Sequence, residues 1–327
     1  MTVLSSRSMR VAAGVTVVGA VMWQTGVAPF VTGLRSLDAS TLVLGAALAV
    51  PATVACAWRW HLVARRLGVG VGLGPAVASY YRSQFLNTAL PGGILGDVHR
   101  GLHHGREVGD TGRGLRAVAW ERLAGQVVLA VLALLVLLLL PSPVHRSVPV
   151  VLGAVVVGFV AAALLARHVP QTRPTSPLRR MLRAVRDDVQ CGLMVRRIWP
   201  GVVLASTTAV ALHLSTYVVA ARAVGATTSL VTLVPVALLV LVAAGLPLNV
   251  AGWGPREGMA AWSFGAAGLG VEQGVATAVA YGAIVLVANL PGAVVLGVAA
   301  WRRGRVHSIG PSSWVPHRVA GQGWHHG

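Results

Sequence analysis

The chain has 327 residues, of which 55% are hydrophobic and only 11% are charged, whereas soluble domains carry about 25% charged residues. This composition and a mean hydropathy of +0.71 exclude an ordinary soluble protein. The net charge of +18 comes from 27 basic residues, all of them arginine, against 9 acidic residues. Because the arginines lie at the ends of apolar runs and in the loops between them, they indicate anionic lipid headgroups rather than nucleic acid.

Six apolar runs are long enough to cross a bilayer as helices, which takes about 20 residues each. These runs are 11–31, 40–60, 117–140, 148–166, 202–223 and 273–300, and a seventh apolar run, 230–247, ends in a proline and a glycine-rich stretch. The sequence therefore predicts an all-α polytopic membrane protein with about seven transmembrane helices, the first of them uncleaved.

Arginines beside the runs predict which side of the plasma (inner) membrane each end faces. Arg7 and Arg10 precede the first run and arginines follow the last run at 302–305, so both termini are expected in the cytoplasm. The loop 167–200 is arginine-rich and is expected there too. Three arginines place the end of the second run on the same side: Arg59, Arg65 and Arg66. The tail 306–327 is rich in Gly, His, Ser and Pro, which predicts disorder.

A broken apolar segment occurs twice. The stretch 75–96 is only moderately apolar, is broken at Pro91-Gly92-Gly93, and is followed by several arginines. If it crossed the membrane, those arginines would lie outside, so we expect it to dip in from the cytoplasm and return. A second break follows the run 230–247. We therefore expect one membrane domain, 1–305, with two re-entrant helical breaks.

The order of these segments predicts an internal symmetry. Halves at about 10–140 and 148–300 each contain two spans, a broken segment and a further span, but they begin on opposite sides of the membrane. In each half a Leu-Pro pair precedes a glycine by the same spacing, and these pairs are Leu90-Pro91 and Leu246-Pro247. Halves of this kind are typical of transporters built from inverted repeats.

The first break carries residues suited to binding a phosphate. Non-helical chain at membrane depth is tolerated only inside protein or against a watery cavity, so two breaks predict a cavity. Glycines allow backbone N–H groups to approach an anion, and Arg82 and Arg100 offer forked donors to a phosphate. Asp97 is expected to orient Arg100 or to exchange a proton. The alternative is a tight turn with a surface Asp–Arg pair.

The second break and the start of the third span offer further charges. Arg256 and Glu257 follow a Gly-Pro turn, where they either begin a half-helix that points into the cavity or lie at the outer interface. Glu121 and Arg122 either form a buried pair that braces the first break or face cytoplasmic water. The loop histidines lack a recognised ligand spacing, so we expect no metal and no cofactor.

Four tracts carry a resemblance to a known family. They are WRWHLVARRLG at 58–68, FLNTALPGGILGDVHR at 85–100, ERLAG at 121–125 and LPLNVAGWGPREG at 246–258. Together they resemble the flippase-like membrane family typified by the transmembrane domain of bacterial lysylphosphatidylglycerol synthases, over most of residues 10–305. The resemblance implies a domain that moves a lipid or lipid-linked conjugate between leaflets. The soluble aminoacyl-transferring domain of those synthases is missing, so enzymatic lysyl transfer is not expected.

The resemblance also implies a set of substrate-binding positions. They are Asn87, Pro91, Gly92, Gly93, Gly96, Asp97, Arg100, Glu121, Arg122, Gly252, Gly254, Pro255, Arg256 and Glu257, and the two breaks add Arg82 and Asn249. The leading hypothesis is a flippase or transporter for a phosphate-bearing lipid, with membrane lipids as its partners. The alternatives are a membrane enzyme that transfers a group onto a lipid carrier and a non-transporting partner of a cell-envelope enzyme.

Overall fold

The computed structural model describes residues 15–90, 93–140, 188, 198–246 and 253–308. Within these ranges the regular structure is entirely helical, which confirms the predicted fold class. We number the helices in chain order: α1 Val15–Thr25, α2 Ala28–Arg35, α3 Ala39–Arg66, α4 Leu73–Ala89, α5 Leu95–Glu107, α6 Thr111–Leu139, α7 Trp199–Ala223, α8 Leu230–Ala244, α9 Pro255–Ala266, α10 Val271–Ala288 and α11 Leu290–Ser308.

Four helical segments in the described ranges are long and apolar enough to cross a membrane. They are α3, α6, α7 and the segment Val271–Ala299, which comprises α10 and the first part of α11. As predicted, the apolar runs 40–60, 117–140, 202–223 and 273–300 thus form helices that could span a membrane. The run 148–166 and most of the loop 167–200 lie outside the described residues, so the count of seven stays a prediction.

The first apolar run does not form the single straight helix that the sequence predicts. The axes of α1 and α2 differ by 97°. Gly26 separates the two helices and has a φ of +72°, a left-handed conformation that favours glycine. Pro29 lies in the first turn of α2, where its fixed φ suits a helix start. The run is therefore either one broken span or a re-entrant hairpin, and the possible spans number up to five in the described chain.

The seventh run forms only a short helix. The 15 residues of α8 extend over about 22 Å, less than the roughly 30 Å hydrocarbon core. The next helix, α9, begins at Pro255 after Gly254, whose φ is +127°. In the first half, α4 ends at Ala89 and α5 begins at Leu95. Both interruptions thus lie where the sequence predicts them, although residues 91, 92 and 247–252 are outside the described ranges.

The packing of the helices follows the same scheme in both halves. The spans α3 and α7 pack along each other at the centre. In the first half α5 packs on α6 and on α4, and in the second α9 packs on α10 and on α8. The pairs α3–α6 and α7–α10 also correspond, as do α3–α10 and α6–α7. The inverted repeat itself stays a prediction, and this matched set of contacts is what such a repeat would produce.

Candidate functional site

A cluster of charged side chains lies inside the protein beside the first break. It joins Arg59 of α3, Asp97 and Arg100 of α5, and Glu121 and Arg122 of α6. We call these five residues the arginine–carboxylate network. Three guanidinium groups face two carboxylates, so the network has a net charge of +1 when all five are ionised. The side chains of Arg100 and Glu121 are 0% exposed.

Glu121 is the centre of the network. Its Oε1 accepts hydrogen bonds from Arg59 Nε at 2.9 Å and from the Tyr80 hydroxyl at 3.2 Å. Its Oε2 accepts from Arg100 Nη2 at 3.0 Å. Arg59 Nη1 also donates to Ser206 Oγ of α7 at 3.1 Å. Because a buried charge is costly unless it is paired, these bonds tie α3, α4, α5 and α7 to the start of the α6 span.

Asp97 holds the second pair of contacts. It accepts from Arg100 Nη2 at 3.0 Å, from Arg122 Nη2 at 2.8 Å, from Ser83 Oγ at 3.0 Å and from Asn87 Nδ2 at 3.0 Å. Burial alone would raise the pKa of this carboxyl, but the charges of Arg122 and Arg100 outweigh burial and hold the pKa below its usual range. This geometry makes Asp97 an ionised carboxylate that orients two arginines.

The turn between α4 and α5 is built around Asn87. Its amide nitrogen donates to Asp97, and its Oδ1 accepts the backbone N–H of Gly96 at 2.8 Å. A Cβ at Gly96 would collide with the Ser83 carbonyl oxygen, so only glycine allows the two helices this close. Gly93 has a φ of +61°, which the reversal of the chain requires. The first break therefore positions Asp97 within reach of the arginines.

Some N–H donors of the network arginines bind no acceptor among the described residues. The Arg100 guanidinium stacks between the rings of Trp60 and Tyr80, at 4.5 Å and 4.3 Å from their centroids. Its Nε and Nη1 have no hydrogen-bond partner among the described residues, and neither does Arg122 Nε. The Arg122 side chain is 39% exposed, the most accessible of the five. A positive charge and unfilled N–H groups give the network the capacity to bind an anion.

A cavity of about 230 Å³ lies beside the network. Trp60 forms part of its wall and also covers Arg100. Arg82 lies in the same wall and donates from Nη2 to Ser79 Oγ at 2.9 Å. The structure therefore places Arg82 in the wall of the cavity.

The second break carries a smaller buried ion pair. Arg256 Nε donates to Glu257 Oε1 at 2.9 Å, and Glu257 Oε2 accepts the backbone N–H of Gly254 at 2.7 Å. Glu257 thus caps the first turn of α9 while it neutralises Arg256. The Arg256 guanidinium lies 5.5 Å and 5.7 Å from the ring centroids of Trp253 and Tyr281.

Arg100 and Arg256 hold equivalent places in the two halves. Each follows the proline of its Leu-Pro pair by nine residues, on a short helix that begins after a break. Both are buried, paired with a carboxylate and covered by aromatic rings. The second site is neutral, whereas the network keeps one positive charge.

The family described as lysylphosphatidylglycerol synthase TM region matches residues 10–292. The chain belongs to this family. The sequence resemblance is thereby confirmed, and the protein is a multi-pass membrane protein built on the membrane domain of lysylphosphatidylglycerol synthase-like proteins. Membership is consistent with a role connected to membrane lipids. No curated protein and no solved structure matches the chain.

The predicted site residues fall into two groups, one at the network and one at the second break. The structure brings together Asn87, Gly96, Asp97, Arg100, Glu121 and Arg122, and it places Gly254, Pro255, Arg256 and Glu257 at the second site. Four further positions, Pro91, Gly92, Asn249 and Gly252, lie outside the described residues. The alternative of a surface Asp97–Arg100 pair is wrong, because both side chains are buried.

Two details of the prediction need correction. Glu121 and Arg122 do not form an ion pair with each other: Glu121 binds Arg59 and Arg100, while Arg122 binds Asp97. Arg59 does not mark a cytoplasmic helix end, because it is buried and bonded to Glu121.

Sequence reasoning also missed several polar and aromatic neighbours of the two sites. They are Trp60, Tyr80, Ser206, His213 and Tyr281. Within the described ranges, no group of three or more His, Cys, Asp or Glu side chains could hold a metal ion.

Proposed function

We propose that this protein is a lipid transporter that moves a phosphate-bearing lipid between the leaflets of the plasma (inner) membrane, with both termini in the cytoplasm. The observation that carries the proposal is the net positive charge of a buried network whose arginines keep unfilled N–H groups. A site that holds surplus positive charge inside a membrane domain is suited to an anion that must cross the bilayer.

A phosphate group fits the donors that the network leaves free. Guanidinium groups bind phosphate oxygens through pairs of parallel hydrogen bonds, and Arg122 is accessible while it remains anchored to Asp97. A monoanionic phosphodiester would cancel the net charge of +1. The cavity beside Trp60 and Arg82 supplies space for a headgroup next to the network.

The second site is proposed to bind the headgroup in the later half of the transport cycle, after the headgroup has left the network. Arg256 stands where Arg100 stands in the first half, and both follow a helical break. If the halves rock against each other, the headgroup can leave the network and meet Arg256 from the opposite face, as in alternating access.

The carboxylates of both sites favour transport over group transfer, because they are already bonded to arginines and to backbone or side-chain donors. Asp97 accepts four hydrogen bonds, and both oxygens of Glu121 are bonded to arginine. In the second site Glu257 is bonded to Arg256 and to the α9 N-terminus. A general base needs a free lone pair directed at its substrate, and these carboxylates use theirs to hold cations.

Leaflet exchange of labelled phosphatidylglycerol in proteoliposomes tests the proposal. The wild type should exchange the lipid faster than empty vesicles, and Arg122→Gln should lower the rate at least about tenfold, since it removes the accessible cation of the site. Arg113→Gln is the matched control, because Arg113 lies on the same helix, is half exposed, and forms an ion pair with Asp110, outside the network.

The decisive comparison is between the two arginine variants. Equal rates for Arg122→Gln and Arg113→Gln would contradict a role for the network. A wild-type rate no higher than that of empty vesicles, for phosphatidylglycerol and for labelled lipids with other phosphate-bearing headgroups, would contradict transport itself.

A further inference from the structure

A polar face of α7 runs between the two buried sites. It carries Ser206, His213 and Tyr217, which are seven and four residues apart and therefore lie on one side of the helix. The middle of Trp199–Ala223 is residue 211, so His213 lies about 3 Å along the axis from the midpoint of a membrane span. An ionisable group at this depth is costly and is a functional hypothesis by default.

His213 contacts the second site through one tyrosine. Its Nδ1 lies 3.2 Å from the hydroxyl oxygen of Tyr281 on α10. The ring of Tyr281 contacts the Tyr217 ring at 5.4 Å and lies under the guanidinium of Arg256. Within the described part of the chain, His213 Nε2 has no hydrogen-bond partner, and the side chain is half-buried rather than sealed. The imidazole therefore has one anchored and one available nitrogen.

The charges that face His213 come from the network. The helices packed on α7 are α3, α6, α8 and α10. The first two carry Arg59, Glu121 and Arg122, which together add one positive charge. Arg59 bonds Ser206, which lies about 10 Å along α7 from His213 on the same side of the helix. The short helix α8 carries no titratable side chain, and α10 contributes Tyr281 with Arg256 beyond it. On α7 itself the titratable neighbour is Tyr217, one turn away.

We propose that His213 is a proton-binding site whose occupancy is coupled to the binding of an anionic headgroup at the arginine–carboxylate network; this rests on the function proposed above. An anion that cancels the surplus positive charge of the network removes the repulsion that this charge exerts on a charged imidazole. Anion binding thus increases the affinity for a proton, and by linkage a bound proton increases the affinity for the anion by the same factor.

Tyr281 suits both states of the site. A neutral imidazole has one N–H donor and one acceptor nitrogen, whereas an imidazolium donates from both nitrogens. The tyrosine hydroxyl both donates and accepts, so it can bond Nδ1 before and after proton uptake. If the neutral ring carries its proton on Nδ1, Tyr281 accepts from Nδ1 in both states and the incoming proton binds Nε2. If the neutral ring carries its proton on Nε2, the incoming proton binds Nδ1 and Tyr281 changes from donor to acceptor. Lipid and proton would then move in the same direction, which provides a source of energy for transport.

Proton uptake on lipid binding tests this coupling with the full-length protein in detergent. Dihexanoyl phosphatidylglycerol is the probe, because its phosphodiester has no proton to gain or release near pH 6.5. Binding is followed by tryptophan fluorescence and proton uptake by a pH dye in weak buffer. The wild type should take up as much as about one proton per lipid bound at about pH 6.5. His213→Gln should bind the lipid without uptake above the buffer blank.

Two further variants make the result specific. His307→Gln alters a histidine near the end of α11, which is not among the helices packed on α7, and should take up protons like the wild type. His213→Asn repeats the test with a second neutral side chain if His213→Gln elutes as aggregate in size-exclusion chromatography. Lipid binding by the wild type without proton uptake, or uptake that persists in both His213 variants, overturns this inference and leaves transport standing. Absence of lipid binding by the wild type overturns the proposed function as well.

Discussion

The two buried arginine sites differ in how they are assembled. The network takes its side chains from α3, α5 and α6 and is supported by α4 and α7. The second site is made by two consecutive residues of α9, with Glu257 serving both as counter-ion and as helix cap. The equivalent positions of Arg100 and Arg256 therefore have different surroundings. A shared backbone plan is compatible with one charged site and one neutral site.

This difference assigns unequal structural roles to the two sites. Removal of one member of the network affects the contacts of five helices, whereas removal of one member of the second site affects mainly the start of α9. The network is expected to be the centre of stability of the domain and the second site to be the more adaptable one. The predictions below test this contrast.

The largest effect is expected from Glu121→Gln. The change leaves Arg59 and Arg100 without their buried counter-ion and should lower the free energy of unfolding by about 3–5 kcal/mol. Glu257→Gln leaves only Arg256 without its buried counter-ion, and the amide oxygen of the new glutamine can still accept the Gly254 N–H. A cost of about 1–3 kcal/mol is therefore expected. Denaturation of the two variants in one detergent measures both values.

A charge-balanced variant provides the control. Glu121→Gln combined with Arg100→Gln removes one charge of each sign and should recover part of the stability lost by Glu121→Gln alone. A cost for Glu257→Gln equal to or larger than that for Glu121→Gln would contradict the contrast between the sites.

Two glycines provide the second test. Gly125 of α6 lies against the guanidinium of Arg59, and Gly282 of α10 lies against that of Arg256, so a Cβ at either position would collide with an arginine. Arg59 is held by Glu121 and by Ser206, and cannot yield without loss of both bonds. Gly125→Ala should therefore cost about 1–3 kcal/mol and Gly282→Ala less.

The measurement is the thermal unfolding of both alanine variants in the same detergent. Equal losses would show that Arg59 moves as freely as Arg256. Gly225→Ala is unsuitable as a control because Gly225 has a φ of +87°, whereas Gly74 in α4 has open space around its Cβ position and a negative φ. Gly74→Ala should leave the unfolding temperature close to that of the wild type.

Much of the fold could be predicted from the sequence because a bilayer permits few backbone arrangements. A run of about 20 apolar residues has no other stable arrangement in a bilayer, so α3, α6 and α7 followed from composition alone. The bend between α1 and α2 did not, since Gly26 lies in an apolar run where glycine is also tolerated in a straight span. The length of α8 was overestimated because the apolar run continues beyond Ala244, through Gly245 and Leu246, to Pro247.

The site was predictable only where its residues are close in sequence. Asp97 and Arg100 are three residues apart on one helix, so their pairing followed from spacing. Arg256 and Glu257 are adjacent, and neighbouring residues of a helix do not normally face each other, so the sequence did not predict their pairing. Glu121 binds Arg59 across 62 positions, and no local pattern indicates that contact. Arg59 instead matched the positive-inside rule, which treats an arginine near a helix end as a topology signal. His213 is a single histidine in an apolar run and has no motif.

Ser206→Ala should produce a smaller effect than the glycine changes. The hydroxyl accepts from Arg59 Nη1, but Arg59 keeps its two bonds to Glu121, so the cost should be about 0.5–1.5 kcal/mol. The same unfolding assay measures it. The bond is the one by which the network reaches α7, so a loss as large as that of Glu121→Gln would mean that α7, rather than Glu121, organises the site.

Lowering the pH provides the smallest and most specific test. It acts on the charge of Asp97, which belongs to the network and not to the second site. Its pKa is held below the usual range, so its contribution to stability is complete above the pKa of about 3.9 in the unfolded chain and is lost only as the pH falls below that value. Between about pH 5 and pH 8 the ionisation of Asp97 should therefore leave the unfolding temperature unchanged, and below about pH 4 the wild type should lose stability more steeply than Asp97→Asn. Thermal scans of both proteins across this range measure the slopes. A steeper loss in the wild type than in Asp97→Asn that begins between about pH 5 and pH 7 would mean that the arginines do not outweigh burial at Asp97. The network would then lose one of its two carboxylate charges already in weak acid.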